Sequence, residues 1–140
     1  MYKLVILRIF GMNNQELRNF RKQEDERRLN QVIDIEVQRI QERVYQSARN
    51  NTEYYCNIPI YDKTLYAENM HTIMERVKKA FPETRIQVML GKQIGYGKYT
   101  QQKEITETLL KIMDTIIDED FFARIYGFGH HLNLQVDWSE

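Results

Sequence analysis

The hydrophobic positions between residues 53 and 90 follow the order strand, helix, strand. After Glu53, apolar side chains fall on alternate positions, which is typical of a strand: Tyr54, Cys56, Ile58 and Ile60. Asp62 can cap the helix that follows, whose apolar residues recur every three or four positions and form one face. Pro82 ends that helix, because the residue before a proline avoids the α region. Thr84 to Leu90 then alternates again and predicts a second strand.

Two further patterns precede this block. Met1 to Phe10 is rich in β-branched and aromatic residues and predicts a strand that is apolar on both faces. Such a strand is an aggregation risk unless it is covered or held in an interface. Asn13 and Glu16 predict the reciprocal cap of a long helix, since no helix-breaking residue follows before Asn50. A regular apolar stripe marks its second half: Leu29, Ile33, Val37, Ile40, Val44 and Ala48.

The first half of this helix has almost no apolar surface of its own. Residues 21–28 contain no apolar side chain at all. One interpretation is a solvent-exposed extension, and the other is an arm, residues 13–28, that gains its stability by docking onto a partner. The residues that would make that contact are Leu17, Phe20, Arg21, Arg27 and Arg28.

The character of the chain changes after Leu90. Residues 91–100 contain three glycines and predict a loop. Thr100 then predicts the cap of a third helix, which carries Ile105, Leu109, Ile112 and Ile116. Residues 91–129 are therefore expected to be a loop–helix element inserted into the domain. The last strand, residues 131–139, alternates apolar and polar positions, which predicts one buried face and one wet face.

These elements predict an α+β fold. We expect a small mixed sheet of about four strands covered by three helices, of which the first is long and extends partly from the body. A length of 140 residues favours one domain, 1–140.

Composition excludes several classes of protein. Twenty basic and 20 acidic residues give zero net charge, so nothing global favours nucleic acid or an anionic membrane. The longest apolar run, Leu4 to Leu7, is far shorter than the ~18 residues that span a bilayer. Cys56 is the single cysteine, which excludes an internal disulfide and fits a reducing compartment. We therefore expect a soluble, intracellular protein that is not membrane-bound.

Charge is unevenly distributed along the chain. From Arg76 to Lys98 the chain contains six basic residues and one acidic residue, Glu83. Residues 105–140 contain seven acidic and two basic residues. Basic side chains interleaved with tyrosines are typical of single-stranded nucleic-acid binding, but a solvated helix end and loop explain them more simply, since lysine is usually exposed. The nucleic-acid interpretation rests on Lys78, Lys79, Lys92, Tyr96, Lys98 and Tyr99.

No motif for catalysis, a cofactor or a metal emerges. Gly97-Lys98 is followed by Tyr99 and lacks the earlier glycine of a phosphate-binding Walker loop. His130 and His131 are neighbours in a predicted strand and point to opposite faces, which disfavours a zinc site. Cys56 lies on the apolar face of its strand, where a packed thiol is expected. We therefore assign no catalytic, cofactor-binding or metal-binding residue, and no small-molecule substrate is evident.

The order of motifs resembles one group of viral proteins. A polar helix leads into Tyr-Tyr-Cys-Asn-Ile-Pro-Ile-Tyr-Asp at 54–62, a helix follows, and the chain closes on Leu-Asn-Leu-Gln-Val-Asp-Trp at 132–138. Short, mostly uncharacterised proteins of nucleocytoplasmic large DNA viruses show a similar helical lead, a Tyr-Ile-Pro-like strand and a closing Ile-x-Trp-like strand. The resemblance covers about residues 29–90 and the last ten residues. It implies a viral accessory or minor virion component, without catalytic residues.

The leading hypothesis is a non-enzymatic protein that interacts with a protein partner, or with a second copy of itself, through the long helix. A nucleic-acid-binding protein that uses residues 76–99 is the first alternative. An enzyme with an unrecognised site is the second.

Overall fold

The computed structural model describes residues 11–95, 97–115 and 129–140. The chain divides into two compact units, Met1–Ile35 and Glu36–Glu140. The described elements are α1 (Asn14–Asn50), β1 (Tyr55–Pro59), α2 (Lys63–Ala80), β2 (Arg85–Gly95), β3 (Lys98–Glu104), α3 (Glu107–Asp114) and β4 (His130–Asp137). The strand predicted for Met1 to Phe10 lies outside the described residues.

The two long helices begin where their caps were predicted. At the start of α1, Asn13 Oδ1 accepts from the Glu16 N–H at 2.9 Å, and Asn13 Nδ2 donates to Glu16 Oε1 at 3.0 Å. At the start of α2, Asp62 Oδ1 accepts from the Leu65 N–H at 3.0 Å. The bonds to the Glu16 and Leu65 N–H groups satisfy backbone donors that have no partner within the helix. The sequence prediction of both helices is therefore confirmed.

The sheet has the strand order β1-β4-β2-β3, and each neighbouring pair is antiparallel. The predicted α+β class, with four strands and three helices, is confirmed among the described residues. Strands β1 and β2 do not pair, because β4 lies between them. Both are antiparallel to β4, so they run parallel to each other one strand apart, joined by α2. The sheet was expected to be mixed, and it is antiparallel in every described pair because the closing strand takes a central place.

The loop predicted for residues 91–100 is wrong. Strand β2 continues to Gly95, and β3 returns from Lys98 as its hairpin partner. Two of the glycines have structural roles in this hairpin. Gly97 has a φ of +68°, a turn conformation that favours glycine. A Cβ on Gly91 would lie 2.8 Å from Gln102 Cγ, so the close approach of that side chain requires glycine.

The start predicted for the third helix is also wrong. Helix α3 begins at Glu107, after Thr106, whose Oγ1 accepts from the Leu109 N–H at 3.2 Å. Residues 100–104 belong to β3 instead, because pairing with β2 satisfies their backbone groups. The buried face of α3 carries Leu110 and Met113, and Ile112 of the predicted stripe is exposed.

The core lies on one face of the sheet, which carries the even-numbered residues of β1, β2 and β4. Ile58, Leu134 and Val88 form one continuous row across these strands and are completely buried. The helices contribute the side chains that cover this face, and their buried members are Val37, Ile40, Val44, Tyr66, Met70, Ile73, Val77, Leu110 and Met113. The apolar stripes predicted for α1 and α2 therefore include the residues that form the core.

A polar contact fastens α1 to α2 and β1. Glu36 accepts hydrogen bonds from Arg39 Nε at 2.6 Å and from the Tyr66 hydroxyl at 2.7 Å. Arg39 also donates to the Pro59 carbonyl at 2.9 Å and lies over the Tyr61 ring, 5.2 Å from its centroid. Burial alone would raise the pKa of Glu36, but the hydrogen bonds from Arg39 and Tyr66 outweigh it and hold that pKa below its ordinary value.

Tyr66→Phe should lower the free energy of unfolding by about 1.5–3 kcal/mol, because it removes a hydrogen bond to a charged carboxylate. Urea unfolding at neutral pH measures the change. Tyr61→Phe is the matched control, since it keeps the ring beneath Arg39. An equal loss in both variants would show that the Tyr66 hydroxyl contributes nothing specific.

The stabilisation supplied by Glu36 should depend on pH. Because its folded-state pKa is lowered, this stabilisation is complete above the ordinary value of 4.5 and disappears as the pH falls through the lowered pKa. Glu36→Gln should therefore be less stable than the native chain at pH ~7, and the difference should shrink on acidification below that ordinary value. A difference that stays constant across this range would contradict the assignment.

Candidate functional site

Four amide side chains join on the face of the sheet opposite the core. Gln102 Nε2 and Gln135 Nε2 each donate to Asn57 Oδ1 at 3.2 Å, and Asn133 Nδ2 donates to Gln102 Oε1 at 2.7 Å. These residues come from β1, β3 and β4, and we call them the amide cluster. It ties together strands that are far apart in sequence.

The amide cluster shows that the sheet is strongly curled. Asn57 lies on one outer strand and Gln102 on the other, with β4 and β2 between them. In a flat sheet these strands would be about 14 Å apart, at ~4.8 Å per spacing. Two amide side chains cannot span that distance and the additional offset along the strands. The β2–β3 hairpin has register shifts between Leu90 and Lys92 and between Gln93 and Gly95, irregularities of the kind that bend a strand.

The prediction that the polar face of the closing strand is exposed to water is wrong at the centre of the strand. Asn133 is completely buried, and its Oδ1 atom has no hydrogen-bond partner in the described part of the chain. The alternation of apolar and polar residues is present, but the curl encloses the polar side as well. A buried amide is tolerated here because its Nδ2 group donates to Gln102.

The curl forms a cleft of about 700 Å³ within the second unit. Its walls are the last turns of α1, the start of β1 and the β2–β3 hairpin. The hairpin turn lies against β1, since a Cβ on Gly97 would be 3.7 Å from the Asn57 carbonyl oxygen. The side chains that give the cleft its chemical character are Arg43, Ser47, Glu53, Tyr55, Lys98 and Tyr99.

The charged groups of the cleft favour an anionic ligand. Arg43 and Lys98 supply two positive charges, and Glu53 supplies one negative charge. Cys56 also lines the cleft, but burial raises the pKa of its thiol, and its Sγ donates to the Arg43 carbonyl at 3.7 Å. A thiol held in this way is a packing residue, in keeping with the sequence interpretation.

The predicted nucleic-acid residues fall in separate places. Lys98 and Tyr99 line the cleft. Lys78 donates to the Thr84 carbonyl beside a second groove of about 550 Å³, and Lys79 is exposed in the last turn of α2. Lys92 pairs with His130 in the strand register, and Tyr96 lies outside the described residues. Of the described residues among these six, only Lys98 and Tyr99 line the cleft.

Sequence reasoning missed the other wall of the cleft. Arg43, Ser47 and Tyr55 lie more than 40 residues before Lys98 in sequence. Their approach to Lys98 depends on the curl of the sheet and on a hairpin that was interpreted as a loop. The only sequence signal was the glycine spacing, which marks the places where another chain segment comes close.

The predicted partner-binding residues all lie on α1, within the first unit. Leu17 and Arg28 are exposed and Phe20 is half-buried. Arg21 pairs with Asp25 at 2.9 Å, and Arg27 pairs with Glu24 at the same distance. Two further exposed apolar residues, Val32 and Ile35, lie outside the apolar stripe predicted for α1, and Leu29 of that stripe is exposed as well.

The described ranges contain neither a cluster of metal-ligating side chains nor a helix that could span a membrane. No group of three or more His, Cys, Asp or Glu side chains there could hold a metal ion. No helix in those ranges is long and apolar enough to span a membrane.

Comparison of the chain with family models, curated proteins and solved structures finds no match. Its function must therefore be inferred from its own surfaces.

The amide cluster should contribute measurably to stability. Asn133→Ala leaves the buried oxygen of Gln102 without its donor, so we expect a loss of about 1–3 kcal/mol in unfolding free energy. Gln87→Ala, on the same face of the sheet, is the matched control and should cost less. Chemical denaturation of both variants makes the comparison, and equal losses would contradict a special role for the cluster.

Proposed function

We propose that this protein is a non-enzymatic interaction protein that associates with a second copy of itself through the outward face of α1. One observation carries the proposal. Four large apolar side chains of the described part of the first unit are between 41% and 68% exposed: Leu17, Leu29, Val32 and Ile35. A helix whose apolar residues remain in water gains stability when they are covered.

The exposed apolar residues have the spacing of a docking helix. Leu29, Val32 and Ile35 recur every three residues, as in helices that bind through one face. Leu17 lies eighteen positions before Ile35 and therefore occupies the same side, about five turns of ~3.6 residues away. We call these four residues the exposed row. Leu29 also belongs to the apolar stripe predicted from the sequence, and at 41% exposure it is the least exposed member of the row.

Charge balance favours a second copy as the occupant. Residues 14–35 carry five basic and five acidic side chains, and the whole chain has no net charge. Two such helices meet without an excess of like charge, and proteins near zero net charge associate readily. The pairs Arg21–Asp25 and Arg27–Glu24 already neutralise part of this surface within each helix.

A structural role is also supported by the titratable groups. Glu36, Arg39 and Tyr66 have shifted pKa values, but they bind one another and line neither cleft. Groups whose pKa values are shifted by hydrogen bonds to one another usually stabilise a fold and do not act on a substrate. The proposal extends to a location inside cells or in a virion, where the sequence resemblance implies an accessory protein or a minor component.

Light scattering coupled to size exclusion, at two protein concentrations, tests the proposal. We expect a dimer whose population increases with concentration. The double variant Val32→Gln/Ile35→Gln should shift the protein toward the monomer, because it makes the exposed row polar. Glutamine is at least as good a helix former as valine or isoleucine, so α1 should remain intact.

The matched control is Ile112→Gln, which makes the same change at an exposed position of α3. It should leave the dimer population unchanged. A native chain that is monomeric at both concentrations would contradict self-association. If the native chain is a monomer and forms a complex with one defined protein, the exposed row binds that protein and not a second copy of the chain.

A further inference from the structure

We propose that the cleft between α1, β1 and the β2–β3 hairpin binds a nucleotide, either free or as a unit of a single strand. The site is independent of the exposed row, which lies in the first unit. The site also differs from the basic segment predicted from the sequence. Lys98 and Tyr99 of that segment line the cleft, whereas Lys78, Lys79 and Lys92 do not.

The phosphate of such a ligand has suitable partners. Lys98 is exposed on the hairpin, and Arg43 lines the opposite wall. A guanidinium and an ammonium group on opposite walls can share one phosphate, the first through its planar fork and the second as a point charge. Glu53, the one acid among the described residues that line the cleft, can accept a hydrogen bond from a sugar hydroxyl, and the described lining has a net charge of plus one.

The base has aromatic partners in the same cleft. Tyr55 and Tyr99 come from the two sheet edges that the curl brings together. A tyrosine ring stacks on any base, because every base has a flat π-face. The amides of Gln46, Asn50 and Asn51 also line the cleft and can both donate to and accept from base edges.

The size and chemistry of the cleft select this class of ligand over others. Its volume, about 700 Å³, lies within the range of small-molecule sites. Base pairs in a duplex are stacked on both faces, so stacking on tyrosine requires an unpaired base. An acidic peptide could pair with the two cations, but it would leave the tyrosines without a flat ring to cover. The nucleotide uses both features.

Binding is measured by the fluorescence anisotropy of a short labelled oligothymidylate and by calorimetry with a nucleoside monophosphate. At low salt we expect saturable binding that weakens as salt increases, since phosphate contacts release counterions. Lys98→Ala should weaken binding several-fold and reduce the salt slope by about one. Tyr55→Ala should weaken binding about tenfold, and Tyr55→Phe should retain it, because phenylalanine still stacks.

Matched controls separate the cleft from general charge and aromaticity. Lys79→Ala removes an exposed lysine outside the cleft, and Tyr54→Ala removes the neighbouring tyrosine, which does not line it. Both should bind like the native chain. The monophosphate is then used to displace the labelled oligothymidylate. If it does so at concentrations similar to those at which the unlabelled strand does, the site is assigned to free nucleotide. If much higher concentrations are needed, the site is assigned to single strands.

Three results would overturn the proposal. The first is no binding of either probe at low salt. The second is an equal loss of binding in Lys98→Ala and Lys79→Ala, which would indicate nonspecific attraction. The third is stronger competition by an acidic peptide than by either nucleotide probe.

Discussion

The hydrogen bond between Gln102 and Asn57 joins the two outer strands of the described sheet, and the shape of the cleft depends on it. Without that contact an antiparallel sheet of four strands would present an open polar face to water. With it, the hairpin turn lies beside the outer edge of β1, and Asn133 becomes buried. Buried amides are tolerated only when they are hydrogen-bonded, so the cluster permits few arrangements of the strands.

Local sequence patterns predicted the elements whose stability is local. The caps at Asn13 and Asp62 and the apolar stripe of α2 are set by neighbours within a few residues, and all were predicted correctly. Residues 91–100, which include the end of β2 and the start of β3, were interpreted as a loop because they contain three glycines. The strands of this hairpin form because they complete a curled sheet, which is a long-range constraint that local patterns do not show.

The candidate sites divide in the same way. Leu17 was predicted from the helix pattern alone and belongs to the exposed row. Lys98 and Tyr99 were singled out by their charge and ring, but the residues opposite them could not be found. Arg43 and Tyr55 line the same cleft as Lys98, although they are distant from it in sequence. A cleft assembled from three distant segments has no contiguous motif.

The most direct test of this account is nuclear magnetic resonance of the side-chain amides. If the curl is held by the amide cluster, the NH₂ protons of Asn133 and Gln102 should exchange slowly with water. Nuclear Overhauser effects should connect the Gln102 side chain with that of Asn57 across the sheet. Fast exchange of both amides, without any such effect, would mean that the outer strands do not meet and that the cleft does not form.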